Sequence, residues 1–138
     1  MMTKLSAVEL LERSFDRFKA KDMRGWADLC APDVVAEFPF APAGLPNRIE
    51  GRDALYDYLK GYPDVIDITA MPTMHIFATD DPNVAVAEWS VSGKVLTNGN
   101  PYEMSYATFA TYRDGELVLY REYWNPMAFL TAMGGGSF

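Results

Sequence analysis

Residues 84–124, VAVAEWSVSGKVLTNGNPYEMSYATFATYRDGELVLYREYW, decide the fold. Through most of this stretch apolar and polar side chains alternate, the period of two that a strand with one buried face produces. Two reversals interrupt it: Asn98-Gly99, and Arg113-Asp114-Gly115-Glu116, whose Asp-Gly pair suits the two positive-φ positions of a two-residue hairpin. Three consecutive antiparallel strands follow, at about 84–96, 102–113 and 117–124, and the same period over 66–78 adds a fourth before them.

Upstream of the strands the period is helical. Ser6 followed by Glu9 forms a capping-box pattern, and Val8, Leu11, Phe15 and Phe18 recur at spacings of three and four, which predicts a helix from about Ala7 to Ala20. Asp22 can cap a shorter second helix carrying Trp26, Leu29 and Cys30, ended by Pro32 and Asp33. Val34–Phe40 reads as a short edge strand, because Pro39 removes a ladder donor. A loop leads to a third helix from Arg52 to about Tyr62, with Leu55, Tyr58, Leu59 and Tyr62 on one face and Pro63 stopping it. Downstream, Asn125-Pro126 opens a last helix that Gly134–Gly136 closes, leaving 134–138 as a flexible tail. The 138 residues read as one α+β domain, with helices against one face of a curved, mostly antiparallel sheet.

Composition narrows the function. Twelve basic against nineteen acidic residues give a formal charge of −7, which repels phosphate backbones and anionic headgroups, so no nucleic acid or membrane partner is expected. One cysteine, Cys30, and one histidine, His75, cannot assemble a Cys/His zinc cluster, and no metal is expected. No glycine-rich phosphate loop follows a strand, so no nucleotide cofactor is implied. No signal-peptide or membrane-spanning run is present, and the expected location is cytoplasmic. Aromatic residues make up 14% of the chain, which suits a ligand cavity or an oligomer interface, with a well-filled core as the simpler alternative.

The candidate chemistry lies in the strands. Glu122 shares a face with Tyr120 and Trp124, and a carboxylate flanked by aromatics is unusual for a buried strand. With a tight Asp114-Gly115 turn it pairs opposite Ala107, which brings Ser105 and Phe109 to the same face. Desolvation there would raise its pKa toward neutrality and fit it for proton transfer; the alternative is a structural ion pair with Arg48, Arg52 or Lys94. Glu88 could share that face as a second acid, or sit exposed. His75 titrates near neutrality unaided and is a third candidate, or a surface or interface residue. Cys30 has no basic neighbour in sequence and reads as core filler, and Asp64, Asp67, Asp80 and Asp81 lack the spacing of a calcium loop. Strand parity puts Ala36, Phe38 and Phe40 on one side, with Trp26, Tyr58 and Trp124 as contacts for a flat ligand. Tyr106, Tyr112, Leu119 and Tyr123 fall on the face opposite Glu122, an aromatic surface that predicts a homodimer.

This order of elements resembles the SnoaL-like, ketosteroid-isomerase-like (nuclear-transport-factor-two-like) superfamily. Pro63-Asp64, Thr79-Asp80-Asp81-Pro82-Asn83, Glu88, Gly93-Lys94, Tyr102-Glu103, Asp114-Gly115 and Arg121-Glu122 with Asn125 look most like the phenazine-biosynthesis A/B proteins. The resemblance implies a mixed, mostly antiparallel sheet curling into a cone around a small-molecule pocket, with three helices of the N-terminal half over it. It also implies a catalytic glutamate in the Arg-Glu-x-x-Asn segment, here Glu122. The A/B proteins add a histidine on the third helix, where this chain has none and Tyr58 occupies the region. Ketosteroid isomerases carry an aspartate base before the proline that ends the first strand and a tyrosine on the first helix; here Phe38 precedes Pro39, and the helix offers Ser14 and Phe15. The implied activity is cofactor-free acid–base isomerisation, cyclisation or condensation of a hydrophobic, aromatic or polyketide-like metabolite. The alternative is a non-catalytic ligand-binding protein on the same scaffold.

Overall fold

In the computed structural model, which describes residues 4–135, local sequence signals set the first elements. Helix α1 spans Ala7–Lys19; the Ser6 hydroxyl accepts from the Glu9 N–H and the Glu9 carboxylate accepts from the Ser6 N–H, satisfying two otherwise orphaned donors. Leu11 and Phe15 face the core. Helix α2, Met23–Asp28, is capped by Asp22, which accepts from the Gly25 N–H at 2.8 Å.

Strand β1 runs Cys30–Glu37, earlier than the expected Val34–Phe40, and it includes Pro32. The proline is tolerated because the pairing of β1 slips between Cys30 and Val35, where ladder bonds are not required. A three-residue strand β2, Arg48–Glu50, lies in what reads as loop. Helix α3 is Arg52–Leu59, and a separate turn α4, Tyr62–Val65, follows a break at Lys60-Gly61. Pro63 therefore opens a helical turn instead of stopping one, since the first turn has no use for its missing N–H.

The expected strand over 66–78 is two edge pieces, β3 (Ile66–Ala70) and β4 (Met74–Ala78), divided at Met71-Pro72-Thr73 and both paired with β5 (Val84–Val95). Strands β6 (Pro101–Arg113) and β7 (Glu116–Trp124) complete the sheet, and helix α5 (Pro126–Ala132) closes the order with Asn125 as its N-cap. Gly134, at φ +80°, and Gly135 bond back to α5, so the expected tail is folded to that point; its remainder lies outside the described residues. Strand order is β2-β1-β7-β6-β5-β3, with β4 also on β5; β1–β7 is the parallel pair and the others are antiparallel. The result is an α+β fold: helices packed on an open, mixed, mostly antiparallel sheet.

Two backbone details position the site. Gly93 permits β5 to approach β3 closely, since a Cβ there would lie 2.0 Å from the Asp67 carbonyl oxygen. In the β6–β7 hairpin the turn is as expected, with Asp114 and Gly115 both at positive φ and Arg113 opposite Glu116. Beyond it a β-bulge inserts Val118: Tyr112 pairs with Leu117, but Thr111 pairs with Leu119. Each later pair shifts by one, so Glu122 stands opposite Thr108 and not Ala107. Tyr102, Met104, Tyr106, Thr108, Ala110 and Tyr112 form the buried face of β6, which corrects the expectation that Tyr106 and Tyr112 lie opposite Glu122.

Candidate functional site

Between the inner sheet face, α3–α4 and α5 lies a cavity of about 370 Å³, with Phe38, Tyr58, Tyr62, Tyr102, Tyr106, Trp124 and Phe129 in its walls. A narrower pit of about 70 Å³ runs deeper, against Phe15, Trp26, Leu55, Trp89 and Tyr120. Phe38, Leu59, Tyr62, Tyr106 and Glu122 border both spaces, and Glu122 is the one carboxyl lining either. It therefore sits at the neck between chamber and pit.

Glu122 Oε1 accepts a hydrogen bond from the Tyr120 hydroxyl at 2.8 Å. Its partial exposure opens onto the cavity, and the carboxyl is otherwise enclosed by aromatic walls. Burial pushes its pKa up to about 7, and the Tyr120 hydrogen bond, which favours the charged form, opposes only part of that rise. No ion pair restrains it among the described residues. Arg48 binds Glu37 and Glu50, each at 3.0 Å, Arg52 reaches the Cys30 carbonyl and Lys94 is exposed on β5, so none of the three supplies the structural partner that was the alternative.

Tyr120 is itself held. Trp26 meets its ring edge-on at 5.3 Å, and the Thr108 hydroxyl contacts its phenol while accepting from Trp89 Nε1 at 2.9 Å. Trp89 in turn stacks on Tyr106 with ring centroids 4.2 Å apart. The Tyr102 and Tyr106 hydroxyls are hydrogen-bonded to each other at 2.8 Å. Burial raises the pKa of Tyr102 to about 12 and those of Tyr62 and Tyr106 well above the ordinary phenol value, so all three remain neutral hydrogen-bond donors.

Of the residues singled out from sequence, Glu122, Trp26, Phe38, Tyr58, Tyr120 and Trp124 meet around these two spaces. Four others do not. Glu88 pairs opposite His75 and Ala107, and both Glu88 and His75 are exposed on the outer sheet face, so Glu88 is not a second acid beside Glu122. Phe109 is turned outward by the bulge register and is 42% exposed. Phe40 leaves the parity of Phe38 because β1 ends at Glu37 and a turn, with the Ala41 N–H bonded to the Phe38 carbonyl, swings it to the outer side against Tyr123. Cys30 is buried, as a core filler would be, and burial raises its thiol pKa to about 12.

The sequence reading did not place Tyr62, Tyr102, Tyr106 or Thr108 at the site. The signal was available on β6 itself, where Pro101, Glu103 and Ser105 alternate with Tyr102, Met104 and Tyr106 and so mark the latter as the buried set. Another hollow, of about 320 Å³ between α1 and β3, is lined by Lys19 and Lys21 and no carboxyl, and Lys21 is bonded to Asp67, so it lacks the groups for proton transfer. Among the described residues no three His, Cys, Asp or Glu side chains gather as a metal site.

Known proteins resemble this chain in sequence and fold. The family model of the SnoaL-like domain matches residues 11–120. A Bacillus subtilis protein of known structure, called a "Putative Isomerase", is 40% identical with a TM-score of 0.88, over 94% of each chain. The Pseudomonas aeruginosa protein "Uncharacterized PhzA/B-like protein PA3332" is 34% identical over 95% of this chain and 92% of its own length. A Xanthomonas campestris structure called a "putative polyketide cyclase" has a TM-score of 0.79 over 91% of this chain and 95% of its own; at 22% identity it speaks to the fold alone.

Proposed function

The chain belongs to the SnoaL-like domain family, and from that premise we propose that it performs cofactor-free acid–base isomerisation, cyclisation or condensation on a small hydrophobic metabolite bound around Glu122. The observation that carries this reading is a lone carboxyl, its pKa near 7, at the neck of an aromatic cavity. Such an acid is populated in both protonation states at neutral pH, which is the condition for taking a proton from one atom of a substrate and returning it to another. Tyr120 fixes the carboxyl through one oxygen and leaves Oε2 for the substrate. Flat walls from Trp124, Tyr106 and Phe38 suit an aromatic or polyketide-like ring system.

The rival reading, a carrier that binds the same class of ligand without reacting, would gain nothing from a carboxyl held at neutral pKa. Glu122→Gln tests the two: the amide keeps shape and cannot exchange the proton. Loss of turnover with ligand affinity and thermal unfolding retained supports catalysis. Equal turnover by wild type and variant removes Glu122 from the chemistry.

The outer face, with Phe40, Phe77 and Phe109 each at least 42% exposed, is proposed as the contact with a second copy of the chain. Light scattering at micromolar concentration is expected to give the dimer mass; a monomer alone would refute it.

A further inference from the structure

The hollow of about 320 Å³ between the α1–α2 turn and β3 runs against the charge of the chain around it. The net charge is −7 and there are five lysines, yet two of the five, Lys19 and Lys21, line this hollow and no carboxyl does. Phe18, Pro63, Ile66, Ile68 and Met71 make the rest of its walls chiefly apolar. Its volume falls within the roughly 300–1,000 Å³ of small-molecule pockets.

The two lysines are held differently. Among the described residues Lys19 has no ion-pair partner: Asp22 caps α2 and meets Arg17 at 3.5 Å, and Asp67 is taken by Lys21. Lys21 sits at φ +59°, in the left-handed region where a lysine is strained and a glycine is not. Its bridge to Asp67 does not account for that conformation, because the two side chains are 45% and 32% exposed and so open a pair returns less than the strain costs. A lysine kept where glycine would close the turn more cheaply points to a use for its ammonium beyond the bridge. Lys94 stands directly opposite Asp67 across β3 and β5, so Asp67 keeps a cation at hand when Lys21 turns to a ligand.

Ammonium groups above an apolar floor select a molecule with one negative end and a hydrocarbon body. We propose that the hollow is a second small-molecule site, which takes an amphipathic monocarboxylate with its charge on Lys19 and Lys21 and its body against Phe18, Ile68 and Met71. The site is separate from the chamber and pit, where ionised Glu122 repels the same ligand. It is nevertheless in contact with them. Phe18, Met23 and Tyr62 line both the hollow and the pit and so form the partition between the two. The Phe18 ring lies 5.8 Å from that of Tyr62 and 5.6 Å from that of Trp89, so a ligand pressed on the partition is felt one ring further in.

The test uses the intact chain, isotope-labelled for amide NMR, and two matched probes, octanoate and octanamide, which share a hydrocarbon chain and differ in charge. Octanoate is expected to shift the amides of Lys19, Lys21, Ile68 and Met71 saturably, and the Trp89 indole N–H with them. At low salt it should bind there at least about fivefold more tightly than octanamide. Lys19→Glu should weaken octanoate at the hollow by about tenfold or more and leave octanamide within about twofold. Sodium chloride at about 1 M should remove most of the preference. Lys21→Gly should lower octanoate affinity by about threefold and raise the unfolding temperature, since it relieves the turn.

Shifts confined to chamber residues such as Trp124 and Phe129, equal affinities of the two probes at the hollow, or an octanoate affinity that Lys19→Glu leaves unchanged would each overturn the proposal. So would a Lys21→Gly variant that loses stability and keeps full octanoate binding, because the lysine would then serve the bridge alone. Glu122→Gln is expected to leave the hollow's titration at wild-type values, so this site and the catalytic reading stand or fall separately.

Discussion

Glu37 and Glu122 occupy adjacent strands, one residue step apart in register, because Glu37 pairs with Arg121 across β1 and β7. They point to opposite faces of the sheet and have opposite surroundings. Outside, Glu37 accepts from Arg121 Nε and Nη2 at 3.0 and 2.9 Å and from Arg48 Nη1 at 3.0 Å, so its charge is met by two guanidiniums that water also reaches. Inside, Glu122 has one phenol and aromatic walls. The same side chain serves as cross-strand ionic cement on one face and as a poised acid on the other, and what separates them is desolvation without a counter-charge.

The largest effect should appear in rate. Glu122→Gln is expected to lower turnover by about 10²- to 10⁴-fold, the usual range for a general acid–base group, whereas Glu37→Gln should leave it at the wild-type level. Steady-state kinetics on the identified substrate reads both. A comparable loss in the two variants would break the contrast between faces.

Next is the pH dependence of stability. A carboxyl whose pKa rises from 4.5 unfolded to about 7 folded holds its proton more tightly in the native state. Its contribution to stability is complete below pH 4.5, declines as the unfolded chain ionises first, and is lost once pH passes the folded value near 7. The loss is at most roughly 3 kcal/mol. Urea unfolding of wild type at pH 5 and pH 8 should show a fall to which Glu122 contributes up to this amount, and Glu122→Gln should lack that contribution. Identical pH profiles would mean that Glu122 ionises in its cavity as it does in water.

The two acids also mark where the sequence was readable. Helix α1 carries its own capping box, α5 its Asn125-Pro126 start, and β5–β7 their alternation, so local chemistry announces them. Glu122 was legible as a candidate because its neighbours Tyr120 and Trp124 share its strand. Its cross-strand company was not, because Leu117-Val118-Leu119-Tyr120 is apolar throughout and hides the bulged residue. One unpaired position exchanged Phe109 for Thr108 and moved Tyr106 and Tyr112 of β6 to the face of Glu122. Arg48–Glu50 is too short to show a period, and Pro72 divides an edge strand whose composition reads as continuous.

Thr108 allows the inner network to be tested without touching the acid. Thr108→Val keeps the branched shape and removes the acceptor of the Trp89 indole N–H in a fully buried place. A stability loss of about 1–3 kcal/mol is expected for the orphaned donor, measured by urea unfolding at pH 5, where Glu122 is protonated. Because Thr108 also contacts Tyr120, the variant should shift the acid limb of the pH–rate profile. No change in either measurement would reduce the Trp89–Thr108–Tyr120 chain to simple packing.

The smallest effect belongs to the outer acid. Glu37→Gln replaces a carboxylate that bridges β2, β1 and β7, and its hydrogen bonds are short and numerous, so geometry alone would suggest a large penalty. Solvent argues the other way: the Arg48 and Arg121 side chains are 50% and 42% exposed, and water replaces much of what the carboxylate supplies. The unfolding temperature should fall by no more than a few degrees at low ionic strength, and the difference from wild type should shrink in 1 M sodium chloride, where charges are screened within about 3 Å. A large, salt-independent loss would mean that the glutamate works as a desolvated bridge, and that the two faces of the sheet differ less than their exposure implies.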